Sequence, residues 1–158
     1  MRPRIIGVIG GSDVSLELYK AAELIGRDVA GRQAVLITGG LSGVMEAAAK
    51  GAKAAGGLTV GVLPGFSPDD ANPYIDLPIV TGVSEARNVI IVRTAEALIA
   101  VGRGYGTLSE IAFALRLQKP VISFNSWEIA DIIIRVHTPQ EAVVQAFAQL
   151  EAVDAKEP

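Results

Sequence analysis

The sequence predicts a doubly wound, mostly parallel α/β sheet with helices on both faces, built as one domain over residues 1–150. Three observations lead there. Short apolar runs alternate with segments of helical period along the chain, the pattern of a parallel sheet wrapped by crossover helices. Hydrophobic residues make up 50% of the chain but aromatics only 5%, an Ala-, Val- and Ile-rich balance that suits strands sandwiched between helices. Three of the apolar runs end in glycine turns that open helices, as ligand-binding α/β sheets require at their strand ends. A chain of 158 residues fits one such domain and buries roughly two thirds of its unfolded surface.

The first strand is expected at Ile5 to Ile9, left through Gly10-Gly11-Ser12. Ser12 or Asp13 is a candidate cap for a helix whose apolar stripe includes Leu16, Tyr19, Leu24, Ile25 and Val29, stopped at Gly31. Ala34 to Thr38 reads as the second strand and runs into a turn with Gly39, Gly40 and Gly43. The alanine-rich stretch from about Gly43 to Ala55 is a strong helix former, ended by Gly56-Gly57. Leu58 to Leu63 is a third strand closed by Pro64, and the fifteen residues that begin with Pro64 hold four prolines, which makes a loop. A long loop beyond a strand's C-terminal end is a candidate cover for a ligand.

Ile79 and Val80 mark a short strand, and Thr81 to Arg93 a helix entered through Ser84. Arg87 falls in its first turn, where a cation opposes the helix dipole and calls for an anionic partner. Ala97 to Val101 is an almost wholly apolar central strand, followed by glycine at 102, 104 and 106. Thr107 and Glu110 have T-x-x-E spacing, so a capping box predicts a helix from Thr107 with Leu108, Ile111, Ala112 and Leu115 on its apolar face, ended at Lys119-Pro120. Val121 to Phe124 and Ile132 to Val136 are the last strands. Thr138, Pro139 and Glu141 take the N-cap, N1 and N3 positions of a final helix carrying Val143, Phe147 and Leu150, and residues 151–158 are expected to fray.

Composition narrows the function. There is no cysteine, and the single histidine, His137, reads as a surface residue beside a helix cap, so no metal site is expected. The net charge of −3 comes without any basic run, so neither nucleic acid nor an anionic membrane is an expected partner. No apolar stretch approaches the ~20 residues of a membrane span, and a cytoplasmic protein is expected.

The chemistry concentrates in the glycine turns. A turn of glycines that opens a helix offers uncovered backbone N–H groups and the positive end of the helix dipole, which favour an anion such as phosphate. The turns at 10–12, 39–43 and 102–107 all leave strand C-termini, so they are expected to converge on one pocket for a phosphorylated small molecule. Neither glycine turn spells G-x-G-x-x-G, so this is not the standard dinucleotide fingerprint.

Two segments, TGGLSGVMEAA and ARN…GYGTLSE, together resemble the superfamily that contains the Lonely Guy phosphoribohydrolases, the lysine-decarboxylase-like proteins and the molybdenum cofactor carrier proteins, a Rossmann-like group. The hydrolase branch has a G-G-G-x-x-G-x-M segment, an Arg-Lys pair and a P-G-G-x-G-T-x-x-E motif. Here Thr38 stands for the first glycine of the first motif, Asn88 for the Lys, and Gly102-Arg103 for Pro-Gly. These departures resemble the small carrier-related branch. The turn after the first strand offers Gly11 and Ser12 as ligand contacts, and the resemblance implies contacts from Gly39, Gly40, Gly43 and Met45 in the first half of the chain. In the second half it implies contacts from Arg87, Asn88, Arg103, Gly104, Tyr105, Gly106, Thr107 and Glu110.

Two functions are open on these residues. One is a carrier or sensor of a phosphorylated nucleotide or pterin-type ligand, with molybdenum cofactor as a carried molecule. The other is hydrolysis of a nucleoside 5′-monophosphate to free base and ribose 5-phosphate, in which the resemblance gives catalytic roles to Arg87 and Glu110; Glu110 also has the purely structural reading of a helix cap. A homodimer or larger homo-oligomer is the state the resemblance implies.

Overall fold

A computed structural model of the chain describes residues 1–157. Seven parallel strands form one sheet flanked by five helices. In chain order they are β1 (Ile5–Gly10), α1 (Leu16–Gly31), β2 (Val35–Thr38), α2 (Val44–Ala54), β3 (Thr59–Leu63), β4 (Leu77–Val80), α3 (Asn88–Thr94), β5 (Ala97–Val101), α4 (Tyr105–Arg116), β6 (Val121–Phe124), β7 (Ile134–Val136) and α5 (Pro139–Asp154). The strand order is β4-β3-β2-β1-β5-β6-β7, every pairing parallel. Strand order reverses between β1 and β5, whose register aligns Gly10 with Val101, so a crevice opens at the C-terminal ends of these two strands.

The central strand shows how the two faces are filled. Side chains alternate along β5: Ala97, Ile99 and Val101 join the core under α1, α2 and α5, while Leu98 and Ala100 join the core under α3 and α4. The face of α1 that packs inward is made of small residues, with Ala21, Ala22, Gly26 and Ala30 beside Ile25 and Val29. α2 crosses it at close range: a Cβ on Gly51 would stand 1.8 Å from the Glu23 carbonyl oxygen. Leu16 and Leu24, expected on the apolar stripe, lie outside this buried face and are exposed.

Several boundaries differ from the sequence expectation for local reasons. Neither Ser12 nor Asp13 caps α1; Ser15 does, its hydroxyl accepting from the Leu18 N–H at 3.2 Å. The residues before it form a loop pinned to α2, where the Val44 N–H donates to the Gly11 carbonyl at 3.0 Å. The helix expected over Thr81 to Arg93 divides into a 3₁₀ turn, Ser84–Arg87, and α3, and Ser84 takes φ 53° rather than a capping conformation. Thr81 sets this entry by donating its hydroxyl to the Leu63 carbonyl at 2.6 Å. At the far end, Thr138 caps α5 as expected, accepting from the Glu141 N–H at 3.1 Å. Residues 151–154, expected to fray, are helical, and Asp154 pairs with Arg4. No helix among the described residues is long and apolar enough to cross a membrane.

Candidate functional site

The turns after β1, β2 and β5 meet around a cavity of about 280 Å³ at the switch point of the sheet. Each wall follows from the strand that delivers it. The first turn brings Gly11 and Ser12, and lies so close to the second that a Cβ on Gly43 would stand 2.3 Å from the Gly11 carbonyl oxygen. The second turn brings Gly39 and Leu41, with Met45 behind them from α2. Gly39 is narrow by necessity, because a Cβ there would fall 2.7 Å from Met45 Sδ and 2.9 Å from Arg87 Nη2.

The third wall is the start of α4. The helix begins at Tyr105, two residues before the expected Thr107, with Gly104 as N-cap and no side-chain cap. The capping box therefore does not form. Thr107 and Glu110 turn inward instead, on the buried stripe Thr107, Glu110, Ile111 and Ala114, while Ala112, expected on that stripe, is exposed. Without a cap, the N–H groups of Tyr105, Gly106 and Thr107 stay available at the positive end of the helix. A Cβ on Gly106 would meet no atom within 4 Å, so this end is open to a ligand. Thr107 Oγ1 is buried with no hydrogen-bond partner among the described residues, and the residue is 2% exposed.

Arg87 and Glu110 supply the charge. Arg87, only 8% exposed, donates from Nε to the Val62 carbonyl at 3.0 Å and from Nη1 to Asn88 Oδ1. Asn88 in turn donates to Ser109 Oγ at 3.3 Å, and Ser109 donates to the Gly106 carbonyl at 2.7 Å. One chain of hydrogen bonds thus fixes the guanidinium relative to the start of α4, leaving Nη2 facing the turn at Gly39. Burial pulls the Arg87 guanidinium below its ordinary pKa against the attraction of Glu110 and Glu85. Glu110 is 7% exposed, and burial pushes its carboxyl up to about 8 against the pull of Arg87. With burial holding the Glu110 carboxyl toward its neutral form, the Arg87 guanidinium and the start of α4 are the donors the cavity offers, and Glu85 is the other carboxyl in its lining. The cavity suits an anion.

The structure gathers most of the sequence candidates and leaves four outside. Gly11, Ser12, Gly39, Met45, Arg87, Asn88, Gly104, Gly106, Thr107 and Glu110 line the cavity. Gly40 instead gives its carbonyl to Asn72, and Gly43 serves the approach of the first turn. Arg103 and Tyr105 point to the outer side of the α4 start, Arg103 reaching the Ser126 carbonyl and Tyr105 lying against Trp127. The 64–76 loop, expected to cover a ligand, braces the second turn, with Asn72 Nδ2 on the Leu41 carbonyl at 2.8 Å, and touches the cavity only through Pro64. Leu41, Pro64 and Glu85 are lining residues that the sequence motifs did not mark; the position of Pro64 immediately after a strand was the one usable signal. Among the described residues no three His, Cys, Asp or Glu side chains group as metal ligands.

A parallel sheet with an anion-suited cavity at its switch point, walled by an uncapped helix start and a buried arginine, defines a Rossmann-like α/β protein. Within that class the chain belongs to the SLOG cluster4 family, whose model matches residues 3–153. It is similar to the molybdenum cofactor binding protein of Rippkaea orientalis, at 37% identity and a TM-score of 0.89 over 96% of this chain and 99% of that one. The molybdenum cofactor carrier protein of Chlamydomonas reinhardtii is similar at 36% identity, with a TM-score of 0.85 over 96% and 99% of the two chains. A cytokinin riboside 5′-monophosphate phosphoribohydrolase of Mycobacterium tuberculosis is 32% identical over 73% of this chain and 67% of that protein. The superfamily resemblance carried by the two sequence motifs holds.

Proposed function

We propose that the protein is a carrier or sensor that binds a phosphorylated nucleotide or pterin-type ligand and does not transform it. The observation that carries this is the uncapped start of α4, opening with Gly106 unobstructed onto a cavity that already holds a fixed guanidinium. The phosphate would take the free N–H groups of 105–107 and Arg87 Nη2, and the flat ring would lie over Gly39 and Met45, with Thr107 Oγ1 and the Glu110 carboxyl as hydrogen-bonding groups at depth. The similarity to two molybdenum cofactor proteins makes that cofactor the leading cargo. The donor set fits a cargo gripped by its organic part: with no cysteine in the chain and, among the described residues, no acidic or histidine cluster, the metal would keep the ligands it arrives with.

A second reading rests on Arg87 and Glu110 sharing the cavity, as the phosphoribohydrolase resemblance implies. A hydrolase of an N-glycosidic bond needs a carboxylate to stabilise positive charge on the ribose. Burial holds the Glu110 carboxyl toward its neutral form, which favours binding over this chemistry. We infer also a cytoplasmic protein that works as a homodimer or larger homo-oligomer; the exposed Leu77, Ile79 and Val80 on edge strand β4 support the second point. Incubation with AMP separates the two functions: a carrier releases no adenine at any protein concentration, and a hydrolase releases it in proportion to protein. Native mass spectrometry of the purified protein then identifies the cargo, and a chain that never retains a phosphorylated molecule would contradict the carrier.

A further inference from the structure

The outer side of the α4 start carries a second feature that the cavity does not use. Tyr105 is 84% exposed although it is the first residue of a helix beside a binding cavity. Its ring stacks on that of Trp127, with centroids 6.2 Å apart and planes 21° apart, which leaves its other face to solvent. Trp127 is the single tryptophan of the chain. Its indole Nε1 donates to the Gly104 carbonyl at 2.9 Å, so the aromatic pair is fixed to the N-cap residue of α4. Arg103 completes the group: Nε is held by the Ser126 carbonyl at 3.3 Å, and the exposed guanidinium enters no ion pair among the described residues.

We propose that Tyr105, Trp127 and Arg103 form a stacking subsite for a second planar heteroaromatic ring, and that the ligand is a diphosphate-linked dinucleotide-type molecule. The inference rests on the phosphate reading of the cavity. An anion on the N–H groups of 105–107 touches the backbone of the residue that carries the exposed ring, so a group leaving the outer side of that anion passes over Tyr105. One ring would occupy the cavity, the diphosphate the start of α4, and the second ring the free face of Tyr105, with Arg103 beside the bridging charge. Thr107 Oγ1, buried in the cavity and without a hydrogen-bond partner among the described residues, is a polar group left for the inner half of such a ligand.

The test compares guanosine diphosphate with diguanosine 5′-diphosphate, which share the inner nucleotide and diphosphate and differ by the second nucleoside. Titration calorimetry on the full chain is expected to give the dinucleotide an advantage of about five- to a hundredfold, the range of one base stacked on an aromatic side chain. Tyr105→Ala removes that advantage, Tyr105→Phe retains it, and Trp127 fluorescence responds to the dinucleotide alone. Equal affinity for the two probes overturns the subsite and leaves the phosphate cavity standing. Equal weakening of both by Tyr105→Ala also overturns it, since the ring would then act only through the start of α4. If neither probe binds, the phosphate reading of the cavity falls and the subsite falls with it.

Discussion

Replacing Glu110 by Gln keeps the shape of the side chain and removes its titration. In the folded protein burial raises the carboxyl to about 8 from the ordinary 4.5, with Arg87 opposing. A group whose pKa is higher folded than unfolded holds its proton more tightly in the folded state. Its contribution to stability is therefore complete below pH 4.5 and is lost as pH rises toward 8. Within that window the loss is about 1.4 kcal/mol per pH unit, and on the order of 5 kcal/mol in total. Urea denaturation of the ligand-free wild type and the Gln variant at pH 5, 7 and 9 isolates this group, because Glu96, Asp76 and Lys119, which also titrate away from their ordinary values, are common to both proteins. The wild type is expected to lose several kcal/mol relative to the variant between pH 5 and 9. A wild type that gains stability over the variant as pH rises would mean a carboxylate paired with Arg87, and the account of a neutral Glu110 would be wrong.

Gly106→Val should leave a folded protein of nearly unchanged thermal stability, since no atom lies within 4 Å of the new Cβ, while its side chain blocks the anion site and abolishes phosphate-ligand binding in calorimetry. Gly39→Ala pushes on Met45 Sδ, the end of a flexible side chain, and on Nη2 of the guanidinium that the Val62 carbonyl and Asn88 hold, so its effect should fall on binding; loss of one charge-assisted contact weakens affinity about ten- to a hundredfold, and unchanged affinity would remove Arg87 from the site. Gly51→Ala has no such relief, because the new Cβ meets the Glu23 carbonyl oxygen at 1.8 Å and the helices must separate; a cost of about 3 kcal/mol is expected by thermal denaturation, and an unaffected midpoint would show that α1 and α2 do not cross so closely.

β1, β2, β3 and β5 were legible as short apolar runs closed by glycine or proline, and β5 and β6 have the predicted limits. α5 was equally legible because its cap, first-turn proline and Glu141 are local signals. What failed was the assignment of polar residues whose partners lie far along the chain. Thr107 and Glu110 have the spacing of a capping box, but Glu110 falls on the buried face of α4 opposite Arg87, twenty-odd residues earlier, and local spacing contains nothing of that proximity. Arg87 read as a first-turn cation in want of an anionic partner; the Val62 carbonyl and Asn88 that hold it become visible only when β3 and α3 are packed together. Arg103 and Tyr105 share the glycine turn with true lining residues, yet the path of the turn sends them outward against Ser126 and Trp127.

The central claim is that a phosphate sits at the start of α4 and that the ligand leaves unchanged. Phosphorus NMR of the protein titrated with guanosine 5′-monophosphate, alongside Gly106→Val, tests both parts in one sample. Saturable broadening or shift of the phosphate resonance with the wild type, none with the variant, and recovery of intact nucleotide after prolonged incubation are the predicted results. Appearance of the ribose 5-phosphate resonance, or a response that the variant reproduces, would contradict the claim.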